Sequence, residues 1–322
     1  MKQHAIFELA QTELVAVEQE LASIIRSRVD LVTDIGSHLL RAGGKRLRPA
    51  LYILCAKSGR QDPAGIVPVA AAIELIHMAT LVHDDVIDNA ATRRGLATAN
   101  ARWGNHITVL AGDYLFAKAF SLISAHGGSR ALQILTETIC SICEGEISQA
   151  RDLFNPRQSM EDYLTRIDNK TAGFIAASCE LGALTAGLPP AEVEALRYYG
   201  YAIGMAFQIT DDLLDVTASS EQIGKPAGND LRQGVLTLPI IYALQNSPQA
   251  GELRQIIEAR DMTDAHVQKG IAVVHTTDAV EYCYSQVSDY LATARRVLPA
   301  SLPTEVRKSL WNIADFVGLR KY

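Results

Sequence analysis

The sequence predicts an all-α fold, and three observations support this. Apolar residues recur at spacings of three and four over long stretches, which is typical of amphipathic helices. No proline occurs from Val69 to Asn155, where Ala, Leu, Glu and Gln are common. Sustained two-residue alternation is hard to find, and no strand leads into a GxGxxG or GxxxxGK phosphate loop.

The breaks between the helices fix their order along the chain. The segment 1–25 predicts an amphipathic helix and lacks the basic and apolar regions of a signal peptide. Pro49, Pro190 and Pro303 fall where a first helical turn tolerates proline. The breaks themselves are SGRQDPAG at 58–65, HGGSR at 126–130, FNPRQ at 154–158, AGLPPAE at 186–192, EQIGKPAGND at 221–230 and QNSPQAG at 245–251.

None of these breaks resembles a flexible linker, so we predict one large domain over residues 1–322, although this length alone favours two. The composition, 48% hydrophobic and 20% charged, is that of a soluble protein. The net charge of -6 argues against a nucleic-acid partner. The most apolar run, at 67–82, contains Glu74 and His77 and is too short for a transmembrane segment.

The cysteines are few and scattered through apolar stretches. One CxxC occurs, but a second pair that would complete a zinc site is missing. We therefore expect buried thiols in a reducing cytoplasm. The five residues are Cys55, Cys140, Cys143, Cys179 and Cys283.

The motif DDxxD occurs twice, each time after a stripe of mostly apolar or small residues. Its aspartates are Asp84, Asp85 and Asp88 in the first copy and Asp211, Asp212 and Asp215 in the second. On a helix, the first and third aspartates share a face, and the second points about 100° away. One such cluster is equally well explained as a solvated helix end. Two copies favour Mg²⁺, which relieves the repulsion between carboxylates one turn apart.

Basic residues near both motifs suggest an anionic ligand. They are Lys45, Arg46 and Arg48 in GGKRLRP, Arg93 and Arg94 in TRRG, Lys170 in DNKTAG and Lys225 in GKPAGND. Each alone is explained as a solvated surface charge. Together with two carboxylate pairs, they form the set that a diphosphate needs, with metal on some oxygens and Arg or Lys on others.

With these motifs, the sequence resembles the trans-polyprenyl diphosphate synthases over essentially its full length. The motifs, in order, are GGKRLRP, ELIHMATLVHDDVID, RRG, GDYL, GE at 145–146, KTAG, FQITDDLLD and GKPAGNDL. The resemblance implies a large helical bundle around a central cavity, of the isoprenoid synthase type. It also implies a dimer that carries about three Mg²⁺ ions per active site on an allylic diphosphate.

The resemblance also implies a role for each residue. Asp84 and Asp88 would bind two ions and Asp211 the third, with Asp85, Asp212 and Asp215 in support. Isopentenyl diphosphate would contact Lys45, Arg48, His77 and Arg94. The allylic diphosphate would contact Arg93, Lys170, Thr171, Gln208 and Lys225. The six aspartates and Lys170 are the residues expected to act in catalysis.

The implied reaction is a head-to-tail condensation. The allylic substrate, expected to be farnesyl diphosphate, ionises, isopentenyl diphosphate attacks the carbocation, and a proton leaves. The surrounding cavity must be apolar, because water would quench the cation.

Two features depart from the usual pattern of this family. The text DLRQGVLTLP has Val235 where many relatives have lysine, and the chain ends in GLRKY instead of an RDR-like sequence. Both features resemble those of the catalytic component of two-component heptaprenyl diphosphate synthases. This leaves open a homodimer, a heterodimer with a small non-catalytic subunit, and an inactive or partner-dependent subunit.

Small residues before the first motif imply a long product. In the family, bulky residues four or five positions before this motif stop chain growth, but here these are Thr80 and Ala79. We therefore expect a deep pocket and a product of roughly C30 to C40, most simply a heptaprenyl chain. A heptaprenyl product suggests menaquinone biosynthesis. Its release would involve transient contact with a membrane. Ile76 is another candidate for the residue that closes the end of the pocket. Ala79 and Thr80 are alternatively explained as small residues that the packing of the helix requires.

Two other enzyme classes fit the sequence less well. Glu74 and His77 form an ExxH, which di-iron bundles use in two copies with two further glutamates, but a second ExxH is missing. A terpene cyclase has a different second metal motif and lacks the basic residues that bind isopentenyl diphosphate.

Overall fold

The computed structural model describes residues 7–59, 65–217 and 228–319, and most of these residues are helical. A 3₁₀ turn at Glu8–Ala10 precedes α1 (Gln11–Ile24), α2 (Asp30–Arg41), α3 (Leu47–Ala56) and α4 (Ile66–Ile87). Next come β1 (Thr92–Arg93), β2 (Leu96–Ala97), α5 (Ala99–Trp103), α6 (Asn105–His126), α7 (Gly128–Arg151) and α8 (Met160–Ile167). A π-helical turn (Asp168–Ala172) leads to α9 (Gly173–Thr185), α10 (Pro190–Thr217), α11 (Asn229–Arg232) and α12 (Leu238–Asn246). The chain continues with α13 (Ala250–Ala259), α14 (Asp264–Val274), α15 (Ala279–Val297) and α16 (Thr304–Gly318).

The all-α fold class is confirmed, and so are the helix breaks at 126–130, 154–158, 186–192 and 245–251. The other two breaks run into residues outside the described ranges. Pro190 opens α10, and Pro303 directly precedes α16.

The described residues divide into two compact units. The first lies within Met1–Thr136, Ser178–Glu194 and Ser301–Leu310, and the second within Glu137–Ala177, Ala195–Ala300 and Trp311–Tyr322. The first acidic motif belongs to the first unit and the second motif to the second. A single domain over residues 1–322 stays a prediction.

Helix α4 is the central element of the first unit. It packs along α6 and also contacts α1 and α3. Its buried residues include alanines, isoleucines and Leu75 around most of its circumference. A helix that is apolar on nearly all sides is stable only inside a core, and this burial fixes the position of the aspartates at its end.

Two described helices, α4 and α6, have the length and apolar composition that a membrane crossing requires. The apolar window of α4 is 67% buried and that of α6 is 33% buried. Core helices of soluble proteins meet the same two criteria, so this is weak evidence for a span.

The hairpin β1–β2 was not predicted, because strands of two residues are too short to show alternation. Thr92 pairs with Ala97 and Arg93 with Leu96. Its turn residues, Arg94 (φ 52°) and Gly95 (φ 78°), both have positive φ, as a two-residue type I′ turn requires.

In the second unit, α12 packs against α13, α14 and α15. The π-helical turn joins α8 to α9, and the absence of a side chain at Gly204 on α10 lets this turn approach closely. A Cβ at Gly204 would lie 2.5 Å from Ala172 Cα. The residues that follow α8 are therefore held directly against α10.

The cysteine prediction is wrong for two residues. Cys55, Cys179 and Cys283 are buried, but Cys140 and Cys143 are exposed on α7. The mixed sequence of α7 gave no clear indication of which face is covered.

Candidate active site

The first acidic motif lies where α4 ends, and its three aspartates differ in burial. Asp85 is buried, Asp84 is half-buried and Asp88 is exposed. Asp88 follows the last helical residue, and its backbone N–H still donates to Asp84 O (2.8 Å). The separation of Asp85 from the other two is the one that helix geometry predicts.

Asp85 anchors the hairpin that follows α4. Its Oδ1 accepts a hydrogen bond from Arg93 Nε (2.7 Å), and its carbonyl accepts one from Asn100 Nδ2 (3.1 Å). Thr98 Oγ1 donates to Ala90 O (2.6 Å) and closes the base of the same loop. Burial raises the pKa of Asp85, while Arg93 opposes this shift. Asp85 therefore fixes Arg93 beside the motif.

A group of arginines surrounds His77, two helical turns before Asp84. Arg48 Nη1 lies 3.4 Å from His77 Nε2. Burial, followed by Arg48 and Arg94, holds the pKa of His77 well below its usual range. Burial also lowers the pKa of Arg48 to about 10, so Arg48 stays charged at neutral pH while His77 is neutral. The charged arginines around this neutral ring create a positive potential that favours an anion.

Arg46 binds carboxylates of the chain itself and is not placed to contact a diphosphate. It has a left-handed backbone (φ 50°) at the start of α3. Its Nε donates to Glu18 Oε1 (2.5 Å) and its Nη1 to the buried Glu74 Oε1 (2.6 Å). Two carboxylates hold this guanidinium, whereas its neighbour Lys45 is exposed.

The pairing of Glu74 with Arg46 also argues against the di-iron alternative. The glutamate of the ExxH contacts a cation, and a second helical ExxH is missing from the sequence. Within the described ranges, no group of three or more His, Cys, Asp or Glu side chains is arranged to hold a metal ion.

The second acidic motif lies inside α10 instead of at its end. Asp211 is half-buried, while Asp212 and Asp215 are buried. Asp212 Oδ2 accepts from Tyr163 Oη (2.8 Å), and its Oδ1 accepts from Gln208 Nε2 (2.7 Å). Burial raises the pKa of Asp212 to about 6, and the two hydrogen bonds oppose this shift.

Asp215 supports the segment that returns over α10. Its Oδ2 accepts from the backbone N–H of Asp230 (3.1 Å), and its carbonyl accepts from that of Gly228 (2.8 Å). These bonds satisfy N–H groups at the start of α11. Lys225, predicted to contact the allylic diphosphate, lies outside the described residues.

The π-helical turn carries the next two predicted residues. Lys170 Nζ lies 2.5 Å from Glu146 Oε1 on α7, and Thr171 Oγ1 donates to Gln208 Oε1 (2.8 Å). Thr171, Gln208, Asp212 and Tyr163 thus form one chain of hydrogen bonds within the second unit. π-turns often occur at functional sites because they redirect side chains.

Sequence reasoning missed several residues of this second group. Tyr163 and Arg166 are both buried on α8, and Arg166 Nη2 donates to Leu236 O (2.6 Å). Glu146 appeared only as part of the GE motif. The spacing of Tyr163 and Arg166, one turn apart on one short helix, is too common to have identified them.

The two residues predicted to limit product length differ in exposure. Ala79 has no exposed surface (0%), whereas Thr80 is half-buried and donates from Oγ1 to His77 O (2.8 Å). Thr80 lies one turn before Asp84 on the same face, so its side chain is the more accessible of the two.

Val235, which stands where many relatives have lysine, is half-buried. Its backbone N–H donates to Asp230 O (2.9 Å). It follows Gly234, which has a positive φ of 80° and lies against the ring of Phe154. The loop around position 235 is therefore held by backbone contacts that a side-chain substitution leaves in place.

Comparison with known proteins agrees with these observations. The polyprenyl synthetase family model matches residues 29–274. Heptaprenyl diphosphate synthase component 2 of Geobacillus stearothermophilus is 43% identical over 100% of both chains. Nonaprenyl diphosphate synthase of Mycobacterium tuberculosis is 38% identical over 98% of this chain and 95% of its own.

A solved structure shows the same likeness. The polyprenyl synthase of Caulobacter crescentus, in complex with calcium and isoprenyl diphosphate, has a TM-score of 0.93 and 36% identity over 100% of this chain and 98% of its own. The chain therefore belongs to the polyprenyl synthetase family and is a prenyl diphosphate synthase, a transferase.

Proposed function

We propose that the chain is a Mg²⁺-dependent, long-chain synthase that condenses isopentenyl diphosphate with an allylic diphosphate, farnesyl diphosphate in the first instance. The observation that carries this proposal is the group of arginines around the neutral His77, directly before an acidic motif. A site that presents both carboxylates and cations is suited to a metal-bound diphosphate, because the carboxylates bind the metal and the cations bind phosphate oxygens.

The metal ligands in this proposal are Asp84, Asp88 and Asp211. Their exposed or half-buried carboxylates are hard oxygen donors of the kind Mg²⁺ prefers. Mg²⁺ is commonly held by one or two carboxylates together with substrate phosphates and water. A binding mode that depends on the diphosphate agrees with the lack of a three-residue metal group among the described residues.

The cations divide between two substrates. Lys45, Arg48, His77 and Arg94 bind isopentenyl diphosphate, and Arg93, Lys170, Thr171, Gln208 and Lys225 bind the allylic diphosphate. In this scheme Glu146 holds Lys170 until the diphosphate takes its place. Asp212 orients Gln208, which in turn orients Thr171.

The chemistry follows from this arrangement. Bound Mg²⁺ would neutralise charge on the departing diphosphate. Arg93 and Lys170 stabilise the same leaving group, so that the allylic C–O bond breaks and leaves a carbocation. Lys45, Arg48 and Arg94 orient isopentenyl diphosphate, whose double bond attacks the cation. The proton then lost passes to the released pyrophosphate, and no side-chain nucleophile takes part.

The product in this proposal is a heptaprenyl chain, within a range of roughly C30 to C40 that a deep pocket would admit. Relatives named for heptaprenyl, octaprenyl and nonaprenyl products support a long chain. Small side chains at Ala79 and Thr80 leave room along α4 for growth. The product would enter menaquinone biosynthesis, with release by transient contact of the cytoplasmic enzyme with a membrane.

The proposed assembly includes a small second subunit. The Geobacillus relative is named as component 2, which implies a partner in that organism. Val235, in place of the usual lysine, leaves this chain one cation short beside the second motif. Partner dependence is therefore favoured over a self-sufficient homodimer.

The test is an incubation of the purified chain with Mg²⁺, farnesyl diphosphate and labelled isopentenyl diphosphate, alone and with a component 1 subunit. Dephosphorylated products are then separated by chromatography. We expect weak activity of the chain alone and a product ladder that ends near C35 with the partner. No elongation under either condition, from a chain shown to be folded, would overturn the proposed function.

A further inference from the structure

His38, on the last turn of α2, occupies a buried position that the proposed reaction does not use. Its side chain is 6% exposed. His38 Nε2 lies 2.7 Å from Ala97 O on β2, and His38 Nδ1 lies 3.1 Å from Arg102 Nη1. The ring also meets Trp103 edge to face at 5.3 Å, and Arg102 stacks over the same indole at 4.6 Å.

The partners of His38 determine its tautomer. A backbone carbonyl only accepts hydrogen bonds, so Nε2 carries the proton and donates to Ala97 O. A guanidinium only donates, so Nδ1 accepts from Arg102. His38 is therefore a neutral ring with both nitrogens satisfied, and it joins α2, β2 and α5.

The hairpin held by this contact needs external support. Each strand has two residues, and a two-stranded hairpin of this size is not stable alone in water. Arg94 at its turn has a left-handed backbone (φ 52°), which is unfavourable for a residue other than glycine. Contacts from Asp85 and Asn100 tie the first part of the loop to α4 and α5, whereas His38 ties the second strand to α2.

The same hairpin brings like charges together. A Cβ at Gly44 would lie 3.1 Å from Nη1 of both Arg46 and Arg94, so the two guanidinium groups meet over this glycine. Arg93 and Arg46 lower the pKa of Arg94 after burial, as expected for cations that repel each other. This repulsion opposes the close approach of the hairpin turn to the GGKRLRP loop, so the hairpin must be held there by other contacts.

We infer that His38 is a positioning residue that holds Arg94 against the GGKRLRP loop and so prepares the binding site for isopentenyl diphosphate. α2 ends at Arg41, directly before that loop, so the bond to Ala97 fixes the hairpin relative to the loop. The inference rests on the proposed function, in which Arg94 contacts this substrate.

The test is isothermal titration of the full-length chain with isopentenyl diphosphate, which needs neither turnover nor a partner subunit. Arg94→Ala should weaken binding about 100-fold, because a charge-assisted contact to phosphate is lost. His38→Leu should weaken it about tenfold, and His38→Gln, which retains a donor toward Ala97, about twofold. Binding of the unreactive analogue farnesyl thiodiphosphate with Mg²⁺ should change less than twofold in His38→Leu, because Arg93 stays bound to Asp85.

The double variant His38→Leu/Arg94→Ala distinguishes positioning from a general effect on folding. If His38 acts through Arg94, the double variant binds as weakly as Arg94→Ala, within about twofold. The inference would be overturned if the double variant lost affinity by the product of the two single-variant factors. Normal binding by His38→Leu would overturn it as well. Normal binding by Arg94→Ala would instead overturn the substrate assignment in the proposed function.

A second variant covers the case in which His38→Leu does not fold. Arg102 is exposed, so Arg102→Met removes the donor to His38 Nδ1 without opening the core. We expect about threefold weaker binding of isopentenyl diphosphate and an unchanged melting temperature. Unchanged binding in this variant would count against the inference.

Discussion

The two acidic motifs have the same spacing but different surroundings. α4 ends at Ile87, so Asp88 lies beyond the helix and is exposed. α10 continues to Thr217, so Asp215 lies within the helix and is covered by the segment that begins at Gly228. The position of the helix end relative to a motif thus decides which of its carboxylates face solvent.

The supporting aspartates differ as well. Asp85 binds Arg93, whose side chain is 34% exposed, whereas Asp212 is held by Tyr163, which is fully buried (0% exposed). The first motif is thus linked to a surface hairpin and the second to the interior of its unit. We expect the first motif to tolerate changes in its surroundings better than the second.

The largest expected effect comes from removing a metal ligand. Asp84→Ala should lower kcat about 1,000-fold or more, because a Mg²⁺ ligand worth several kcal/mol in the transition state is lost. Asp211→Ala should have a comparable effect if the motifs share the diphosphate. The measurement is initial-rate kinetics of elongation with the partner subunit present, and near-normal turnover by either variant would remove that residue from the metal site.

Substitution of the supporting aspartates, Asp85 and Asp212, should reveal the difference in exposure of the residues that they bind. Asp212→Ala should lower the free energy of unfolding by about 3 kcal/mol, since it leaves the donors of Tyr163 and Gln208 without their acceptor. Asp85→Ala should cost about 1 kcal/mol, because water reaches the released Arg93. Urea unfolding followed by circular dichroism measures both values.

The control for this pair is Asp88→Ala, which alters an exposed carboxylate and should change the free energy of unfolding by less than about 0.5 kcal/mol. Equal losses for Asp85→Ala and Asp212→Ala would contradict the contrast between a surface-linked and an interior motif.

The residues one turn before each motif also differ, Thr80 being small and Phe207 bulky. Thr80→Tyr should shorten the product, because a ring on the Asp84 face blocks growth along α4. Ala79→Tyr should also shorten the product. In addition it should destabilise the fold by about 1 to 3 kcal/mol, since Ala79 is fully buried. Chromatography of products and thermal melts check these expectations, and an unchanged product would remove that position from the floor of the pocket.

The smallest expected effect is a gain of function near the second motif. Val235→Lys restores the cation found in many relatives, and we expect up to about tenfold more activity from the chain without a partner. Val235→Met is the matched control, since it adds length without charge. Equal activity of the two variants would show that the missing lysine does not limit the isolated chain.

The sequence predicted the parts of this molecule that depend on local spacing. Helix periodicity located α4 and α10, and helix geometry separated Asp85 from Asp84 and Asp88. Contacts between distant residues had no such signature: Tyr163 and Asp212 are 49 positions apart, and Arg46 and Glu18 are 28 apart. The π-helical turn escaped prediction for a related reason, because it depends on close packing at Gly204.

The contact between Arg46 and Glu18 has a consequence for any shortened form of the chain. The family match begins at residue 29, so a fragment cut to that boundary would lack α1 and with it Glu18. Arg46 would then keep Glu74 alone, and its Nε and Nη2 would lose the carboxylate that they bind. A fragment chosen from sequence boundaries would therefore lose one of the two ion pairs that hold this arginine at the start of α3.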